Sequence, residues 1–128
     1  MRRILLDTHV TLWWLSGNKR LGRDAQGVIA DVNNRVFVSA VTGWEISIKK
    51  MLGKLQAPDD LDSIIHDEGF EYLDITFFHG EKAGMLPPYH KDPFDRMLIA
   101  QAQAEGLEIV TDDRQITQYG VHIIPANK

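Results

Sequence analysis

Six acidic residues stand at places where they can do chemistry together. Asp7 ends the apolar run Ile4-Leu5-Leu6, and Asp112 and Asp113 follow the run Leu107-Glu108-Ile109-Val110-Thr111. Glu45 lies a few residues beyond Arg35-Val36-Phe37-Val38-Ser39, and Asp92 and Asp95 flank Pro93-Phe94. Short apolar or β-branched runs read as buried strands, so these acids sit where strands end or helices begin. Carboxylates that converge on one point repel, and one or more must protonate unless cations bind. Hard divalent ions with oxygen ligands relieve that repulsion, and Mg²⁺ or Mn²⁺ suits an all-carboxylate set. Two such ions about 4 Å apart can activate water and stabilise the leaving oxygen in phosphodiester hydrolysis.

Each acid also has a plainer role open to it. Asp92, just before Pro93, reads as a helix cap, and Asp112 as a solvated loop residue. Asp7 can cap the segment after it, although Thr8 competes for that position. Glu45 borders an apolar stripe that includes Ile48 and Leu52, and Asp95 shares a face with Ile99 and Ala102. A carboxylate half-buried in such a place needs a partner.

The elements that must position these residues alternate along the chain. Strands are expected over Ile4–Leu6, Arg35–Ser39, Tyr72–Ile75, Leu107–Val110 and Val121–Ile124. Between them, helices are expected from Thr8 to Leu15 and from Leu21 to Val32, the latter with Val28, Ile29 and Val32 on one side. A third helix, capped by Thr42, carries Trp44, Ile48, Met51, Leu52 and Leu55 as an apolar stripe. Shorter helices cover 59–68 and 77–85, and 94–105 is the clearest, with Asp92 as cap and Gly106 as stop. A helical turn spans about 114–119. Strands separated by helices predict an α/β fold: a parallel, twisted sheet of about five strands with helices on both faces, forming a single domain over residues 1–128. Sites in such sheets lie beyond the carboxyl ends of the strands, at the switch in strand order.

The chain has 128 residues, 44% hydrophobic and 25% charged, and no cysteine. This is globular composition, and it excludes a disulfide scaffold, a thiolate metal site and a cysteine nucleophile. Fourteen basic residues stand against 18 acidic ones, a net charge of −4, whereas a protein that binds nucleic acid mainly by charge is basic. Setting aside four acids filled by metal leaves equal numbers of each sign, a near-neutral body that can bind RNA. Met1-Arg2-Arg3-Ile4-Leu5-Leu6 opens like a signal peptide, but Asp7 and His9 cut it short, and no apolar run is long enough to cross a membrane. An intact, soluble, cytoplasmic chain is expected.

Other residues leave two roles open. His9, His66, His79, His90 and His122 lack the spacing of a ligand set; His90, two residues before Asp92, either hydrogen-bonds within its loop or touches substrate phosphate. Arg96 either pairs with Asp92 or contacts phosphate. Lys49, Lys50 and Lys54 make a solvated face or a track for an RNA backbone. Trp13 and Trp14 cannot both point inward from one helix, so one belongs to the core and the other to an interface.

Four segments together resemble the PIN domains, and specifically the VapC-type toxins of bacterial toxin–antitoxin pairs. They are Leu5-Leu6-Asp7-Thr8-His9 with Leu12-Trp13-Trp14-Leu15; Ser39-Ala40-Val41-Thr42-Gly43-Trp44-Glu45-Ile46 with Leu52-Gly53-Lys54-Leu55; His90-Lys91-Asp92-Pro93-Phe94-Asp95-Arg96-Met97-Leu98-Ile99-Ala100-Gln101-Ala102; and Val110-Thr111-Asp112-Asp113. The resemblance covers nearly the whole chain. Its departures are Ile116, where many relatives carry Phe, and Gly43, where bulkier residues are common. It implies a ribonuclease toxin that hydrolyses RNA with metal-activated water, requires Mg²⁺ or Mn²⁺, is held by a cognate antitoxin and forms a homodimer. By position, the catalytic and metal-binding acids are Asp7, Glu45, Asp95 and Asp113, with Asp92, Thr111 and Arg96 as supporting neighbours. The alternatives are a PIN-like binding module that has lost catalysis and a receiver-like acidic signalling domain. The second would need an acidic pair after the first strand and an acceptor Asp after the third, whereas here the pair Asp112-Asp113 follows the fourth and Asp74 lies inside an expected strand.

Overall fold

The computed structural model describes residues 1–128. Its elements in chain order are β1 (Arg3–Leu6), α1 (Thr8–Ser16), α2 (Arg23–Ala30), β2 (Arg35–Ser39), α3 (Ala40–Met51), α4 (Leu61–Asp67), β3 (Glu71–Leu73), α5 (Phe77–Met85), α6 (Pro93–Glu105), β4 (Glu108–Thr111), a 3₁₀ turn (Arg114–Tyr119) and β5 (Ile123–Pro125). All strand pairs are parallel, in the order β3-β2-β1-β4-β5. The chain fills one side of β1 first and then the other, so the order switches between β1 and β4. At their carboxyl ends Leu6 stands level with Val38 and with Val110. Asp7, Ser39 and Thr111 follow one step on, abreast at the same edge.

Alternation along β1 divides the core. Ile4 and Leu6 face one side with Val36, Val38, Val110 and Ile124, against Val10, Ala25, Ile29 and Ile65 of α1, α2 and α4. Leu5, Phe37 and Ile109 face the other, against Val41 of α3 and Leu98, Ile99 and Ala102 of α6. No helix is long and apolar enough to cross a membrane.

Local chemistry sets the helix ends. Asp92 accepts the Phe94 and Asp95 N–H groups and Pro93 follows at the first helical position, so α6 starts there. Gly106 ends it in the left-handed region at φ 66°, which a side chain resists. Two expected caps are displaced. Asp7, not Thr8, caps α1 by accepting the Val10 N–H at 2.8 Å. Ser39, not Thr42, caps α3 by accepting the Val41 N–H at 3.0 Å. Ser39 ends its strand and Asp7 directly follows its own, so both already have the extended backbone that a cap requires, and each threonine lies inside its helix.

The stripe expected on the third helix does not face the core. Its buried residues are Val41, Thr42, Glu45 and Ile46, while Trp44, Met51 and Leu52 are 60%, 86% and 62% exposed. The helix also ends at Met51, short of Leu55. The second helix stops at Ala30, leaving Val32 96% exposed. On α3 the polar Thr42 and Glu45 share the inward face with Val41 and Ile46, and the aromatic Trp44 lies on the outward one.

Candidate active site

Asp7 leaves the sheet at the centre of the switch, its N–H donated to the Val110 carbonyl at 3.2 Å. Its side chain is buried, and burial is the largest reason that its pKa rises to about 7. Hydrogen bonds from the Thr111 hydroxyl and the Val10 N–H oppose the shift, and the charges of Asp112 and Asp113 add to it. The Thr111 hydroxyl oxygen also accepts the Asp113 N–H at 3.0 Å.

Glu45 is buried on α3 with both oxygens engaged. Oε1 accepts the Thr8 hydroxyl at 2.6 Å, and Oε2 lies 2.5 Å from Lys49 Nζ, one helical turn on. The same ammonium stands 5.9 Å from the centre of the Phe94 ring, whose edge meets Trp44. Lys49 is thus part of the acidic site. The sequence carried a signal for it in the Glu-to-Lys spacing of four. Lys50 pairs with Asp59, so two of the three lysines expected as a free basic face are already occupied.

Asp95, in the first turn of α6, is pushed up to about 7, first by burial, then by the charges of Asp92 and Asp7, with Glu45 adding and His90 opposing. Helix α6 is held against the sheet by Gln101, which accepts the Ser39 hydroxyl at 2.6 Å. Asp113 caps the 3₁₀ turn through Gln115 N–H at 2.9 Å. Asp92 accepts its two cap bonds and contributes charge to Asp95. Asp112 is exposed.

Two residues occupy positions that sequence reasoning did not foresee. His90 is buried, with Nε2 2.9 Å from Asp95 Oδ2 and 2.8 Å from Asp113 Oδ2. Arg96 pairs with neither Asp92 nor a site acid. Its guanidinium donates to the carbonyls of Ala83, Leu86, Pro87 and His90 at 2.8 to 3.1 Å. A five-donor fork can collect a loop's unpaired carbonyls in a way that one carboxylate partner cannot. Trp13 and Trp14 do not divide into core and surface either. Both are half-buried against the same core cluster and line one depression of about 190 Å³, with Trp14 Nε1 donating to Glu68 at 2.7 Å.

The fold therefore brings Asp7, Glu45, Asp95 and Asp113 from four separate segments into one field of mutual repulsion at the switch point. Two of them resist ionisation, and the ligand atoms of His90, Asp95 and Asp113 all lie within 4.8 Å of one another. The carboxylate oxygens are hard, anionic donors, which fits a divalent cation bound by oxygen.

Residues 4–121 match the family model of the PIN domain, and the chain belongs to that family. That membership displaces the receiver-like alternative. Ribonuclease VapC22 of Mycobacterium tuberculosis is 28% identical over 122 residues, covering 93% of both chains. Among solved structures, the fold is shared with DNA-bound VapBC from Salmonella typhimurium at a TM-score of 0.69 and 20% identity, covering 97% of this chain and 98% of that one. A toxin–antitoxin complex from Klebsiella pneumoniae matches at a TM-score of 0.66 and 20% identity, over 96% and 97% of the two chains.

Proposed function

We propose that this protein is a ribonuclease toxin of a toxin–antitoxin pair, hydrolysing RNA phosphodiester bonds at Asp7, Glu45, Asp95 and Asp113 with Mg²⁺ or Mn²⁺ as cofactor. The observation that carries it is the convergence of four carboxylates at the sheet's switch point, two of them pushed to about 7. The names of its relatives, a ribonuclease and toxin–antitoxin complexes, point the same way. A divalent ion bound there supplies Lewis acidity and lowers the pKa of bound water. The chain's part is to hold the acids in place: Thr8 and Lys49 fix Glu45, the Val10 N–H fixes Asp7, and Asp92 fixes the start of the helix that carries Asp95. No cysteine is present to act as nucleophile. Cleavage of RNA by the purified protein should need added metal, stop in chelator, and leave 3′-hydroxyl and 5′-phosphate ends. A 2′,3′-cyclic phosphate formed without metal sinks the mechanism.

The partner is a cognate antitoxin that inserts an arginine among the acids, since its planar fork matches carboxylates, and lays an apolar segment over α1 beside Trp13 and Trp14. Excess Mg²⁺ should weaken that complex. An affinity indifferent both to metal and to substitution of the four acids would place the partner elsewhere. The proposal extends to a cytoplasmic homodimer in which residues 1–128 form one nuclease domain; sedimentation of the pure protein tests the dimer.

A further inference from the structure

Residues 86–92 form an irregular loop between α5 and α6, yet His90 within it is tied on every side. Its backbone N–H donates to the Tyr119 hydroxyl at 2.8 Å, and its carbonyl accepts from Arg96 at 3.1 Å. Tyr119 in turn donates to the Pro87 carbonyl at 2.6 Å. Arg96 adjoins Asp95 on α6, and Tyr119 closes the 3₁₀ turn that Asp113 caps. The backbone of His90 is thus clipped to the same two elements whose carboxylates its ring bridges. Nδ1 accepts the Asp92 N–H at 3.3 Å, so the ring hydrogen lies on Nε2, between Asp95 Oδ2 and Asp113 Oδ2. With the hydrogen there, Nε2 is a donor to the carboxylates and has no lone pair to offer a metal.

We propose that His90 is a positioning residue for the metal site: its Nε2–H ties the Asp95 carboxylate to that of Asp113 and leaves their remaining lone pairs for the cation. This rests on the metal-dependent activity proposed above. Groups that orient ligands in this way change metal affinity without touching the ion, commonly by 10- to 100-fold.

The test is calorimetric titration of the metal-free protein with Mn²⁺ and separately with Mg²⁺. His90→Ala should weaken both ions by roughly 10- to 100-fold and leave their ratio unchanged. His90→Gln, which keeps an N–H donor, should recover part of the loss. Tyr119→Phe, which removes the anchor of the His90 backbone N–H, should produce a smaller loss in the same sense, and it decides the matter if His90→Ala does not fold. A selective loss of Mn²⁺ over Mg²⁺ would make His90 a nitrogen ligand and overturn the proposal. Tighter binding in His90→Ala would make it a plug and overturn it too. Unchanged affinity in folded variants, Tyr119→Phe included, reduces it to loop filling. A wild-type protein that binds neither ion sinks the metal-dependent activity itself; wild-type binding with unaffected variants sinks only the role of His90.

Discussion

Thr8 donates its hydroxyl to Glu45 at 2.6 Å, joining the first turn of α1 to the middle of α3 across the mouth of the sheet. Both side chains are buried. With Lys49 on the other oxygen, the carboxylate is satisfied at both ends and held in one orientation. Thr8→Val keeps the shape and removes the donor. It should lower stability by about 1–3 kcal/mol, and Thr8→Ser should restore most of it. Urea unfolding of the three proteins in chelator measures the difference; an unchanged Thr8→Val would mean that Lys49 alone holds Glu45.

Asp95 is half-buried among like charges, so neutralising it relieves strain in the metal-free protein. Asp95→Asn should abolish cleavage yet, in chelator at pH 8, leave the fold as stable as wild type or more stable by up to about 1–2 kcal/mol. Saturating Mn²⁺ should reverse the order, because wild type gains more from the ion by mass action. A substantially lower melting temperature for metal-free Asp95→Asn would instead make Asp95 a structural hydrogen-bonding residue.

The raised acids also set a pH dependence. In the unfolded chain Asp7 and Asp95 ionise near 3.8, and in the folded protein at about 7. Between those values the folded state keeps protons that the unfolded state has lost. Metal-free stability from these groups is therefore greatest at the acid end, falls as pH rises from about 4 to about 7, and then levels off, with a total loss on the order of a few kcal/mol. Saturating Mn²⁺ should flatten the decline, because the ion favours the ionised acids. Denaturant melts at pH 5 and pH 8, with and without the ion, test this; metal-free stability that climbs over that interval contradicts it.

Arg96 gathers the carbonyls of Ala83, Leu86, Pro87 and His90. Lysine keeps the charge but lacks the planar fork. Arg96→Lys should therefore lower stability by about 1–3 kcal/mol and raise amide exchange across residues 83–92, including the Tyr119-bound N–H of His90. Hydrogen exchange resolved by mass spectrometry reads it out. Protection equal to wild type would show that Tyr119 holds the loop without help.

Much of this protein was legible in its sequence because the deciding interactions are local. Short apolar or β-branched runs mark most of the strands, and Asp92-Pro93 and Gly106 bound α6 through bonds made within a few residues. The acids that follow strands end up at the carboxyl edge because parallel strands leave them nowhere else to go. What no local pattern specifies is which face of a helix turns inward, or where a loop side chain comes to rest. Thr42 and Glu45 are buried on α3, and Trp44 and Met51 are not, because Thr8 arrives from β1 with a hydroxyl for Glu45. His90 reaches Asp95 and Asp113 because β4 lies beside β1, which brings the 3₁₀ turn and its Tyr119 against the loop before α6. The four acids could be named from the sequence as candidates, and Lys49 lies one helical turn from Glu45; the Thr8 hydroxyl and the His90 ring reach their carboxylates from distant segments, and the pairing order of the strands decided that they meet.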